Sequence, residues 1–250
     1  MSAPVLVEAC VDSIESALAA AAGGAQRMEL CANLVEGGTT PSAGTLAECR
    51  RRLDIPICVL VRPRAGDFLY SAPEFAVLLE DVRRAKEAGA AGVVIGVLQS
   101  NGTIDKDRTS QLIAAARPLQ VTFHRAFDVC RDAAEALDAL IALGVERVLT
   151  SGQAPTAPQG VATIARLVRQ AAGRIGILPG GGITPENVVA LVQATGVSEV
   201  HLTGAAPRES DMAFRAPQVE IGSTAPRSEY EWNVTDAARI RQVVTELGGT

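Results

Sequence analysis

At 250 residues, with 48% apolar side chains and a formal charge of −5, the chain has ample material for a core. It has no basic surplus for holding nucleic acid or an anionic membrane surface. No apolar run approaches a membrane span, no signal peptide is expected, and the five cysteines form neither a zinc knuckle nor a disulfide framework, so a reducing cytoplasm is expected.

Residues 5–10 read as a strand, after which Asp12 and Glu15 form a capping pair for a helix that stops at Gly23 and Gly24. Residues 27–31 form a second strand, and a polar loop over 32–42 leads to a helix ending at Arg52. A third strand covers 57–62. Ser71 and Glu74 then make a capping box around Pro73, opening a helix that ends at Gly89. Residues 92–96 are a fourth strand, and Asp105 opens the next helix. Residues 119–124 are the fifth strand; its helix carries Ala134, Leu137 and Ile141 on one stripe and stops at Gly144. The sixth strand spans 147–150, followed by a helix to Gly173, and the seventh spans 175–178. Thr184 and Pro185 start the seventh helix, which stops at Gly196. The eighth strand covers 199–203, a long irregular segment covers 204–233, and Thr235 or Asp236 caps a last helix over 235–247.

Eight strand–helix units of about thirty residues predict a (β/α)8 TIM barrel, a single α/β domain over residues 1–250. An open doubly wound sheet is the alternative, but no dinucleotide fingerprint follows the first strand.

Barrel strands send alternate side chains out to the helices and in to the axis. The apolar set must face outward: Val5, Val7 and Ala9; Met28 and Leu30; Ile57, Val59 and Val61; Val121 and Phe123; Val200 and Leu202. The inward set is then Leu6, Glu8 and Cys10; Arg27, Glu29 and Cys31; Cys58, Leu60 and Arg62; Thr122 and His124; Glu199, His201 and Thr203. Strand six is ambiguous by this test, and strands four and seven are too rich in glycine. So polar an interior must pair its charges, hydrate them or bind something. Either it is a structural ion-pair network, or Glu8, Glu29, Arg62, His124 and His201 face a functional mouth at the C-terminal strand ends. His124 is followed by Arg125 and Asp128, and an imidazole facing carboxylates such as Glu29 is expected to rest charged.

Gly152 follows strand six, Gly180, Gly181 and Gly182 follow strand seven, and Gly204 follows strand eight. Barrels often bind phosphate on backbone N–H groups of the loops after strands seven and eight; tight turns needing positive φ are the plainer explanation.

Cys10 and Cys31 both end a Glu-x-Cys strand on neighbouring strands, and their sulfurs can meet if the registers match. Soft thiolates suit Cu(I), whereas buried cysteine is otherwise a small hydrophobe. Arg27 would favour the thiolates, and Glu8 and Glu29 would raise their pKa values, so weak or moderate Cu(I) affinity is expected. Zinc, wanting four ligands where only His201 or Glu29 could add to the pair, should bind more weakly.

Glu8-Ala9-Cys10-Val11-Asp12-Ser13, Arg27-Met28-Glu29-Leu30-Cys31, Gly37-Gly38-Thr39-Thr40-Pro41-Ser42 and Arg62-Pro63-Arg64-Ala65-Gly66-Asp67-Phe68 resemble the CutC family. So do residues 121–128, Leu149-Thr150-Ser151-Gly152 and Gly180-Gly181-Gly182-Ile183, in order through the whole barrel. The tail Met212-Ala213-Phe214-Arg215 also fits, but Ala216 stands where the family commonly has Asn. The resemblance implies a cytoplasmic barrel linked to copper homeostasis, with Cys10 and Cys31 as its copper-binding candidates.

Two functions therefore stand. One is copper handling through Cys10 and Cys31, with Cu(I) as the ligand. The other is an enzyme acting on a small phosphate- or carboxylate-bearing substrate. Its catalytic candidates are Glu8, Glu29, Arg62, His124, Asp128 and His201, with His124 or Glu29 as the acid–base group; Arg62 and Arg64 would clamp the anion, beside Gly152 and Gly180–Gly182. No nucleic-acid or membrane partner is expected, and a homo-oligomer is left open.

Overall fold

Short apolar strands alternating with capped helices can bury their outer faces only by winding the helices around the strands. The computed structural model, which describes residues 4–216, 218, 219, 221 and 228–248, has this arrangement. The barrel strands are β1 (Leu6–Val11), β2 (Arg27–Leu30), β3 (Ile57–Leu60), β4 (Gly92–Ile95), β5 (Gln120–Phe123), β6 (Arg147–Thr150), β7 (Gly176–Pro179) and β8 (Glu199–Leu202). The helices are α1 (Ile14–Ala22), α2 (Ala43–Arg52), α3 (Ala72–Glu87), α4 (Lys106–Ala116), α5 (Ala133–Leu143), α6 (Val161–Ala171), α7 (Pro185–Thr195) and α8 (Ala237–Gly248). The parallel sheet runs β7-β6-β5-β4-β3-β2-β1-β8, and a parallel bridge between Gly180 and His201 closes the remaining seam. The chain is a (β/α)8 TIM barrel.

The alternation sorts side chains into two cores. Val7, Met28, Val59, Val121, Phe123 and Val200 belong to the layer packed between strands and helices. Cys10, Cys31, Cys58, Leu60 and Val94 form a separate cluster inside the barrel. Strand six resolves with Val148 outward, which turns Arg147 toward the interior and Glu199.

Most helix signals hold where they were read. Ser71 and Glu74 form the reciprocal capping box of α3, and Gly144 ends α5 in the left-handed region at φ 74°. The cap of α1 is different: Ser13 accepts the Ser16 N–H at 3.1 Å, and Asp12 accepts from the Leu34 N–H instead. Asp236, not Thr235, caps α8 through the Ala238 N–H at 2.7 Å.

The segment 204–233 is not wholly irregular. Antiparallel strands β9 (Ala205–Glu209) and β10 (Glu231–Thr235) form a hairpin leading from β8 to α8. The expected domain range also includes 1–3, 217, 220, 222–227 and 249–250, which lie outside the described residues.

Candidate functional site at the barrel interior and mouth

Register builds the polar floor. Glu8 lies directly across from Arg27 on one side and His201 on the other, and all three point inward. Arg27 Nε donates to Glu8 and its Nη2 donates to Glu199 Oε2 at 2.5 Å; Arg147 Nε reaches the same Glu199 oxygen at 3.2 Å. His201 bridges two carboxylates, with Nδ1 2.7 Å from Glu8 Oε1 and Nε2 3.4 Å from Glu29 Oε2. Burial alone would raise the Glu8 pKa, but the hydrogen bond and charge of His201, together with Arg27, hold it down at about 2. For His201, burial pulls down while bonds to Cys10 and Glu8 and the Glu29 charge carry it well above its usual value. Glu29 goes the other way: burial raises it, and the neighbouring Glu8 charge adds to that.

The cysteine pair sits just above this floor. Cys10 is opposite Glu29 in the ladder rather than opposite Cys31, so the registers do not match. The sulfurs nevertheless lie 3.6 Å apart, because the slant of barrel strands brings diagonal inward positions together. Both are buried, and Glu29 completes a group whose potential ligand atoms lie within 4.8 Å of one another. Glu8, Glu29 and His201 form a second such group. The Cys10 thiol is raised by its bond to Cys31, by burial and by Glu29; burial likewise pushes Cys31 up to about 11. Arg27 is committed to Glu8 and Glu199 and does not offset this. Cys58 joins the same inner cluster, Cys49 packs in the outer core, and Cys130 donates to the Asp132 carbonyl.

Several expectations need correction. His124 does not rest charged against Glu29: burial, and then the charge of Arg62, lower its pKa to about 3. Its Nδ1 accepts the Ala126 N–H at 3.1 Å, and its ring lies 4.9 Å from that of Phe68. Arg64 is not free to clamp an anion, since it is bound to Glu74, Asp67 and the carbonyls of Ala65, Asp67 and Leu69. Arg62 spends its Nη atoms on the carbonyls of Glu36, Gly38 and Gly66, tying two mouth loops together. Asp128 is no idle base, because Arg125, Thr150 and Ser151 all donate to it.

The glycines divide into two roles. The Gly152 N–H donates to Thr150 Oγ1 and the Gly180 N–H to the Thr150 carbonyl, so neither is offered to an anion. A Cβ on Gly152 would stand 2.5 Å from the Gly160 carbonyl oxygen, which makes this glycine a packing requirement. Gly181 and Gly182, both at positive φ, do line a cleft of about 660 Å³ at the mouth, with Arg125, Thr184, His201 and Arg239.

Sequence reasoning did not single out Arg147, Tyr70 or Arg239. The ambiguous parity of strand six concealed Arg147; Tyr70 sits in a loop and Arg239 on a helix from the far end of the chain, where no local pattern marks them.

A model of the CutC family matches residues 5–206. A human copper homeostasis protein cutC homolog is 49% identical over 236 residues, covering 94% of this chain and 86% of the relative. A family protein CutC of Bacteroides fragilis is 45% identical over 243 residues, 97% of each chain. The crystal structure of a Streptococcus agalactiae CutC protein superposes with a TM-score of 0.76 at 37% identity, covering 80% of this chain and 98% of that one.

Proposed function

The chain belongs to the CutC family, and from that premise we propose that it serves copper homeostasis in the cytoplasm by holding Cu(I) between Cys10 and Cys31. The observation that carries the reading is the 3.6 Å approach of two buried sulfurs whose strands place them diagonally rather than side by side. Paired soft thiolates suit Cu(I), and Glu29 stands beside them as a harder, subsidiary donor. Both thiols rest protonated, so copper must displace protons as it enters, which keeps the affinity moderate. Among the described residues, no helix is long and apolar enough to cross a membrane. The test is a competition titration with a Cu(I) chelator on the parent and on Cys10→Ser, Cys31→Ser and Cys49→Ser. Binding lost in the first two variants and kept in the third is the expected result; equal binding in all four would overturn the reading.

The mouth cleft supports a second reading, an enzyme acting on a small anionic substrate. Here the Gly181–Gly182 turn and Arg125 receive the anion, and His201, which reaches the cleft from the polar floor, is the proton carrier beside Glu29. His124, which holds the Ala126 N–H and is buried, has no such role in this reading.

A further inference from the structure

Four buried side-chain nitrogen or oxygen atoms lack a hydrogen-bond partner among the described residues, and three of them are Arg62 Nε, Tyr70 Oη and His124 Nε2. They belong to one cluster. Phe68 contacts both Arg62 and His124, with the Arg62 Cζ 5.2 Å from its ring centroid, and the Arg62 charge acts on both Tyr70 and His124. All three atoms are able to donate. Because His124 Nδ1 accepts the Ala126 N–H, the hydrogen of the neutral ring is on Nε2.

Arg62 is also a buried cation without a counter-charge. Arg27, Arg64, Arg125 and Arg147 each pair with a carboxylate, whereas Arg62 pairs with none among the described residues: its Nη atoms meet backbone carbonyls, and its side chain lies against Phe68 and Tyr70. Such a charge is costly when nothing balances it. A water could accept from two of the three donors, but it would leave the charge standing.

We propose that Arg62 Nε, Tyr70 Oη and His124 Nε2 form a binding site for the carboxylate of a small monoanionic ligand, covered by the half-buried Phe68. One guanidinium charge matches one carboxylate, and three donors suit its two oxygens. A phosphate would bring more negative charge and a third terminal oxygen than the cluster can serve. The site is independent of the cysteine pair. It rests on the second reading above and adds to it a carboxylate subsite separate from the Gly181–Gly182 turn and Arg125; Arg62 Nη1 stands 3.4 Å from where a Cβ on Gly37, a residue lining the mouth cleft, would be.

The protein has only two histidines, so their ring Cε1–H signals separate readily by NMR. Titration with formate or acetate should move the His124 signal to saturation and leave that of His201 in place. Tyr70→Phe should weaken binding about tenfold, the equivalent of one charge-assisted hydrogen bond. It should also leave the ligand-free protein at least as stable as the parent, since it removes an unsatisfied hydroxyl. Arg62→Met should abolish the response; if its loops fail to fold, Tyr70→Phe still decides. A His124 signal unmoved by carboxylates at tens of millimolar, or unchanged affinity in Tyr70→Phe, would overturn the site. If phosphate responds at Arg125 and Gly181 while carboxylates leave His124 unmoved, this inference fails and the anionic-substrate reading survives.

Discussion

The Nδ1 of His201 lies 2.7 Å from Oε1 of Glu8, across the seam where the last barrel strand meets the first. The pair therefore joins the two ends of the barrel's chain order by a buried, charge-assisted bond.

The pair sets a pH window for stability. Glu8, depressed from 4.5 to about 2, contributes stability that is present above 4.5 and lost as the pH falls toward 2. His201, raised above 6.5, contributes stability that is present below 6.5 and lost as the pH climbs through its folded value. Their joint contribution is thus greatest between 4.5 and 6.5. Glu8→Gln should cost about 3 kcal/mol within that window, with a smaller loss outside it. Urea midpoints measured across pH check this; a pH-independent cost would assign Glu8 a packing role instead.

His124 acts in the opposite sense. Its folded pKa, about 3, lies below its ordinary 6.5. As the pH falls below 6.5 the unfolded chain takes up a proton that the folded ring refuses, and stability declines. His124→Asn keeps an acceptor for the Ala126 N–H but has no such titration. The variant should lose about 1–2 kcal/mol at neutral pH from lost ring packing, yet show a flatter profile from 6.5 toward acid. Its Cu(I) affinity should equal the parent's, because the ring does not touch the cysteine pair. Melting curves across pH and the chelator titration together test both halves.

Copper binding should release protons. Because both thiols are raised by burial and their neighbours, two-thiolate ligation should free about two protons per Cu(I) near neutral pH. Calorimetry in buffers of different ionisation enthalpy counts them. A count near zero would mean that the metal sits elsewhere.

The mouth cleft makes its own prediction. Inorganic phosphate at millimolar concentration should raise the parent's melting temperature and leave Gly181→Val unaffected. Gly181 has φ 94°, so a branched residue there costs about 1–2 kcal/mol in backbone strain and pushes toward the Arg125 guanidinium. No thermal shift in the parent would remove the cleft as an anion site.

Local signals carried most of the fold. The Ser71–Glu74 capping box, the Asp105 cap and the Gly144 and Gly196 stops are decided by residues within a turn of one another, and the structure has them where the residues imply. The β9–β10 hairpin was not legible. Ala205–Glu209 contains a proline and charges instead of an apolar alternation, and its partner strand begins only at Glu231. That pairing is made by long-range backbone hydrogen bonds, which leave little mark on composition.

The site divides along the same line. The sequence by itself determined that Glu8, Cys10, Glu29, Cys31 and His201 face inward, because the strand pleat repeats every two residues and the outer face must be apolar. Only the tertiary structure decided which of them meet. Strand slant, not level register, brought Cys10 to Cys31. Closure of the ring set Glu8 against His201, and loop paths turned Arg64 to Glu74 while giving Arg62 backbone carbonyls and no carboxylate among the described residues. Direction along a strand follows from neighbours in sequence; the pairing of charges depends on distances between segments up to 193 residues apart, which only the closed barrel sets.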